Sequence, residues 1–154
     1  MGGYWGHSIR MGSVGAPSTE YRRIHEATVG QHRAAAAQIG PGRGAQLIQI
    51  EAERYAAESL PGSSKHPMRS RQGHFLGLDY AEKPTPLAFP QPANWAALSP
   101  QAPGEVILRS GMVLEVHTML GMAGAGFGFI GDIYVVREDG PERLTGFPQD
   151  LFVA

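Results

Sequence analysis

At 154 residues and 42% hydrophobic content the chain is long enough for one domain with a real core. Its net charge of -1 supplies no field that draws it to nucleic acid or an acidic membrane, so neither is expected as a partner. The absence of cysteine excludes disulfides, thiolate metal sites and a cysteine nucleophile together, so any metal must be held by His, Asp or Glu.

The N-terminus, MGGYWGHSIRMG, has no apolar run of signal-peptide type, and a cytoplasmic setting is the default expectation. Tyr4 to Val14 reads as a strand, with Trp5, His7, Ile9 and Met11 alternating onto one side and Tyr4, Ser8 and Arg10 onto the other. His7 thus falls on the apolar face, where a lone histidine is ordinarily a satisfied core residue. Gly15-Ala16-Pro17 breaks the strand, Ser18 is placed to cap a helix, and Glu20 sits in the first turn, where the helix dipole favours it. That helix spans 18–39 and stops at Gly40-Pro41-Gly42. His25 and His32 share its seam with Tyr21, Thr28, Ala35 and Ile39, but two turns apart rather than one, so both read as structural.

A second helix spans 45–60, with Ile48, Ala52 and Tyr55 on its buried side and Glu51, Glu53, Arg54 and Glu58 towards solvent. Residues 61 to 72 are loop by composition, and their Lys65, His66, Arg69, Arg71 cluster is read as solvated because no aromatic is interleaved with it. GHFLGLDY is a strand or extended turn carrying His74. The proline-dense stretch from Pro84 to Pro103 forbids a long regular element and is expected to lie over the domain, anchored by Phe89 and Trp95. Glu105 to Arg109 is expected to be a short strand.

Gly111 to Thr145 reads as one unit: GMVLEVHTML, a glycine-rich bend, then FIGDIYVVREDGPERLT. The flanks are rich in β-branched and aromatic residues, which predicts two long antiparallel strands, with a short third strand at Glu142 to Leu144. Alternation puts Val113, Glu115, His117 and Met119 on one face and Met112, Leu114, Val116, Thr118 and Leu120 on the other. A carboxylate and an imidazole opposite a solid apolar face form either a solvated surface or the wall of a polar site. Glu115, His117 and the glycines argue against a bilayer helix here. Gly126 to Gly131 spells GxGxxG but runs into a strand rather than opening a helix, so it is not a dinucleotide fingerprint; GxSxG, P-loop and HExxH patterns are absent.

Four stretches together resemble the pita-bread metallopeptidase family, which includes methionine aminopeptidase, prolidase, aminopeptidase P and creatinase. They are GYWGHSIRMGSVG from Gly3, GHFLGLDYAEKP from Gly73, SGMVLEVHT from Ser110 and GFIGDIYVVREDGPERLT from Gly128, in the family's order over nearly the whole chain. The resemblance implies an α+β fold: a curved antiparallel sheet with two helices on its outer face, residues 1–154 forming one N-terminally shortened domain. Family members hold two divalent metals with two Asp, one His and two Glu. Here only His74 keeps a family ligand. His7 stands in place of the second Asp, His117 of the first Glu and Gly131 of the second Glu, and Ala81 replaces a histidine of the family's His-Glu pair while Glu82 remains. The first Asp has its counterpart upstream of residue 1.

These substitutions lead to one expected function and one alternative. The first is a metal-dependent hydrolase that cleaves a small peptide or small amide at a C–N bond with metal-bound water. Its ion, one zinc, manganese or iron, is held by His7, His74 and His117, with Glu115 orienting an imidazole or acting as base. The alternative is a catalytically degenerate relative acting as a binding or assembly module. The shortened sheet implies unpaired edges, from which a homodimer is expected.

Overall fold

The computed structural model describes residues 2–63, 72–82 and 106–154. Its elements run β1 (Gly12–Ser13), α1 (Thr19–Ala36), α2 (Gln46–Ser59), β2 (Gly73–Phe75), β3 (Val113–Met122), β4 (Gly126–Arg137), β5 (Gly140–Arg143) and β6 (Phe152–Val153). The long hairpin β3–β4 is the centre of a four-stranded antiparallel sheet ordered β2-β3-β4-β5. Its register runs from Val113 opposite Val135 to Met122 opposite Gly126. Gly124 takes φ 78 in the bend, a conformation that L side chains rarely adopt.

The apolar face of β3 carries the core. Leu114, Val116 and Leu120 are buried there against α1, α2 and their connection, beside Ile24, Ala35, Ile39, Ile48 and Ala52. Thr118 on the same face donates its hydroxyl to the Thr28 carbonyl of α1 at 3.3 Å, so the one polar side chain in that row is satisfied. Helix α1 begins where expected: the Ser18 side chain accepts from the Tyr21 amide at 3.1 Å, and Glu20 lies in the first turn. It ends at Ala36, and a tighter turn then carries Ile39 into the core. Helix α2 crosses α1 closely at Gly30, where a Cβ would meet the Tyr55 side chain. Glu51, Arg54 and Glu58 pair along its outer side.

Two expected strands are shorter than the alternation suggests. Tyr4 to Val14 is extended, but it joins the four-stranded sheet only through the Ile9–Gly131 bridge, and Gly12–Ser13 pairs instead with β6 in parallel. The reason is exposure: Tyr4 and Trp5 stand 73% and 54% exposed, so the first half of that alternation has no core to face. Of Glu105 to Arg109, the described part, 106–109, pairs with the α1–α2 connection, not with the sheet, through Gly42, Arg43 and Ala45. The Pro84 to Pro103 stretch, Phe89, Trp95, and the cluster of Lys65, His66, Arg69 and Arg71 lie outside the described residues.

Candidate metal centre

The register of the sheet brings four polar side chains to one place. His74 of β2 is directly opposite Glu115 of β3, and directly opposed residues project from the same face. His117 follows Glu115 by one full pleat and is opposite Gly131 of β4. Gly131 in turn exchanges both backbone hydrogen bonds with Ile9, at 3.0 and 3.1 Å, and His7 lies one pleat before Ile9. The face that sequence alone left open between solvent and site is closed: Glu115 is fully buried, and His74 and His117 are each 4% exposed.

Three donor atoms converge. Glu115 Oε2 lies 2.6 Å from His7 Nδ1 and 2.9 Å from His74 Nε2, and the group His7, His74, Glu115 has the spacing of a metal-ligand set. The orientation of His74 follows from its other nitrogen. Nδ1 is 3.1 Å from the Phe75 carbonyl, which only accepts, so Nδ1 carries a proton and Nε2 is the nitrogen turned to Glu115. Nε2 faces a carboxylate oxygen in a buried setting, and Glu115 Oε1 has no hydrogen-bond partner among the described residues. A buried imidazole nitrogen and a carboxylate oxygen this close are held together by a cation between them, a proton or a metal ion. Ligands of one zinc ion are about 3.3 Å apart, so the His7 and His74 nitrogens, 2.6 and 2.9 Å from Glu115 Oε2, are each within about 1 Å of that spacing from the carboxylate. The donor chemistry therefore fits a divalent metal.

His117 lies beside these three rather than among them. Its ring centroid is 5.7 Å from that of His74, no farther than the 6.1 Å between His74 and His7, but its donor atoms are not part of the converging group, and it meets the edge of Phe129 at 5.6 Å. Gly131 is what admits the Glu115 carboxylate: a Cβ there would stand 2.9 Å from Glu115 Oε1 and 2.9 Å from Ile9 Cδ1.

A second buried network, which sequence reasoning missed, occupies the opposite face. Asp132 is fully buried and accepts from Arg10 at 2.6 Å and Gln149 at 2.8 Å, with His32 of α1 3.2 Å away. Burial alone raises its pKa, but hydrogen bonds from His32, Arg10 and Gln149 outweigh it and hold the carboxyl lowered to about 2. The Tyr134 hydroxyl, bonded to His32, is pushed above its ordinary range by burial and then by the Asp132 charge. Arg10 also bonds the carbonyls of Gly131, Phe147 and Pro148, locking the His7 segment and the C-terminal tail onto β4. The available signal was the alternation itself, which puts Arg10 and Asp132 on the faces opposite His7 and Gly131.

The family model of metallopeptidase family M24 matches residues 1–138. A curated relative, the uncharacterized hydrolase/peptidase y4tL of Sinorhizobium fredii, is 31% identical over 153 residues, covering 98% of this chain and 34% of the relative. Among solved structures, dipeptidase PepE from Mycobacterium ulcerans superposes with a TM-score of 0.78 at 27% identity, over 99% of this chain and 36% of that one. An X-Pro aminopeptidase from Thermotoga maritima gives 0.80 at 23% identity, over 99% and 38%, a likeness of fold. The chain spans about a third of the length of the curated relatives it matches. With the helix pair on one face of the antiparallel sheet and the histidines gathered on the other, these matches show that the chain belongs to metallopeptidase family M24, as a partial span of its pita-bread fold.

Proposed function

We propose that the protein is a metal-dependent hydrolase acting on a peptide or small amide, with a single divalent ion held by His7, His74 and Glu115. The observation that carries this reading is the convergence of His7 Nδ1 and His74 Nε2 on one oxygen of the fully buried Glu115 carboxylate, at 2.6 and 2.9 Å. Two imidazoles and one carboxylate suit zinc, manganese or iron. Such an ion supplies Lewis acidity and an activated water at neutral pH. In place of the expected three-histidine set, this reading takes Glu115 as the third ligand on the donor spacing of His7, His74 and Glu115, and gives His117 the proton-handling role beside it.

In this reading the protein's own groups divide the work. The Phe75 carbonyl orients His74, and the Ile9–Gly131 bridge orients His7. Water adds to the carbonyl carbon of the scissile bond, His117 accepts the proton released, and the same imidazole returns it to the leaving nitrogen as the C–N bond breaks. The buried, largely apolar surroundings strengthen these charge interactions. A cytoplasmic homodimer in which residues 1–154 form a single unit is part of the proposal. No helix among the described residues is long and apolar enough to cross a membrane.

Metal content by elemental analysis of protein purified without chelator tests the reading, followed by a dipeptide screen. Close to one ion per chain, lost in His74→Ala and Glu115→Gln, is the expected result. A wild-type protein that takes up no zinc, manganese or iron would leave the degenerate binding module as the better account.

A further inference from the structure

The buried donors are bordered by aromatic side chains that the proposed chemistry does not use. The Tyr80 ring lies 4.6 Å from the His74 ring and 5.4 Å from that of His7, and Trp5 meets Tyr80 edge-on at 5.8 Å. Both rings are well exposed, Trp5 at 54% and Tyr80 at 43%, with Tyr4 and Leu78 exposed in the same two segments. Exposed apolar groups are ordinary when scattered; gathered at the lip of a buried polar cluster they mark a contact surface.

The backbone that presents these rings is held in place. The Glu82 carboxylate accepts from the amides of Leu78 at 2.6 Å and Asp79 at 3.2 Å, and the Glu82 amide donates to the Phe75 carbonyl at 3.1 Å. Asp79 Oδ1 accepts from the Tyr80 amide at 2.7 Å, and the Trp5 amide donates to the Gly77 carbonyl at 2.8 Å, joining the two segments. Both carboxylates of the turn are thus turned onto backbone N–H groups. Among the described residues, the lip presents the Tyr80 and Trp5 rings on a preorganised frame, which binds an apolar group with little ordering cost.

We propose that Tyr80 and Trp5 form an aromatic entrance that selects a neutral aromatic or large apolar group flanking the scissile C–N bond. The selection acts through ring contact rather than through the tyrosine hydroxyl. The inference rests on the hydrolase reading above for the bond, but on the ring positions alone for the selectivity.

The test compares Phe-Ala and Ala-Phe with Ala-Ala and Lys-Ala as substrates of the metal-loaded full chain. At least one phenylalanine dipeptide should exceed Ala-Ala in kcat/KM by about ten-fold, and Lys-Ala should show no such advantage. Tyr80→Ala and, independently, the surface change Trp5→Ala should remove that preference through KM, whereas Tyr80→Phe should retain it. Equal kcat/KM for the phenylalanine and alanine dipeptides, a preference for Lys-Ala, or loss of selectivity in Tyr80→Phe overturns the proposal. Calorimetric binding of N-acetylphenylalaninamide and N-acetylalaninamide, with and without zinc, separates the entrance from the chemistry. Preferential aromatic binding that Tyr80→Ala abolishes supports the entrance even where no dipeptide is cleaved and the hydrolase reading fails; equal binding overturns it.

Discussion

His74 is fixed at both ends of its ring, by the Phe75 carbonyl on Nδ1 and the Glu115 carboxylate before Nε2, whereas His117 meets Phe129 and stands outside the three converging donors. Their substitutions should therefore part company. His74→Ala is expected to lose the metal and with it all turnover. His117→Gln should keep the metal and lose about 10²- to 10⁴-fold in kcat, the span general acid–base groups supply. Metal content beside steady-state kinetics reads both, and loss of the ion from His117→Gln would return that residue to the ligand set. On the opposite face Asp132 gives a pH prediction. Its folded pKa is depressed to about 2, so its contribution is fully present above the unfolded carboxyl value and is lost as pH falls from about 4 through 2. The contribution is on the order of 2 kcal/mol. Acid titration of urea stability should show a decline across that window that is absent from Asp132→Asn, a variant already weakened at neutral pH because it leaves Arg10 buried without its anion.

At the scale of elements, two glycines of β4 set how closely its neighbours approach. Gly128 lies under α1, where a Cβ would meet Thr28 Oγ1 and, at 2.9 Å, Ile24 Cγ2; Thr28 and Ile24 are both fully buried. Neither β-branched side chain has room to turn away, so Gly128→Ala should destabilise by about 1–3 kcal/mol, read as a shift in denaturation midpoint at constant slope. Gly131→Ala presses instead on Ile9 and the Glu115 carboxylate. It should weaken metal binding out of proportion to its stability cost, which metal titration alongside denaturation would show. The β3–β4 hairpin and both helices were legible because each carries its own local signals: long runs of alternation, a Ser18 cap, a Gly-Pro-Gly stop. The pairing of residues 106–109 with the helix connection was not, since a short apolar run does not say which backbone it will bond. Tyr4 to Val14 misled for a related reason: alternation reports a half-buried ribbon, and here the outer half of the alternating set is ring surface at a site entrance.

For the molecule as a whole, the site is a product of register rather than of any local motif. His7, His74 and Glu115 come from three segments that are far apart in sequence and meet only because β2, β3, β4 and the Ile9 bridge align them. Sequence marked the histidines because the resemblance to a family framework put them in corresponding places. It gave Glu115 an auxiliary part, and did not show that Glu115 lies directly opposite His74, because that depends on pairing. The same long-range construction yields the broadest prediction. An ion bound by three separated segments binds the folded chain and scarcely the unfolded one, so it stabilises by about 2.7 kcal/mol at a hundred-fold excess over its Kd. For a chain of this length that corresponds to a rise of roughly 5–10 °C in Tm. Zinc or manganese should raise Tm by that amount in the wild type, chelator should reverse it, and Glu115→Gln and His7→Ala should each abolish the shift while keeping a cooperative transition. An ion held as proposed would close the loops between residues 7, 74 and 115, so metal-free protein should also lose hydrogen-exchange protection at the amides of Trp5, Ile9 and Gly131, whose bonds hold the N-terminal segment in place. A Tm indifferent to every divalent ion, with those amides equally protected throughout, would mean that His7, His74 and Glu115 form a buried hydrogen-bonded cluster that does not take a metal.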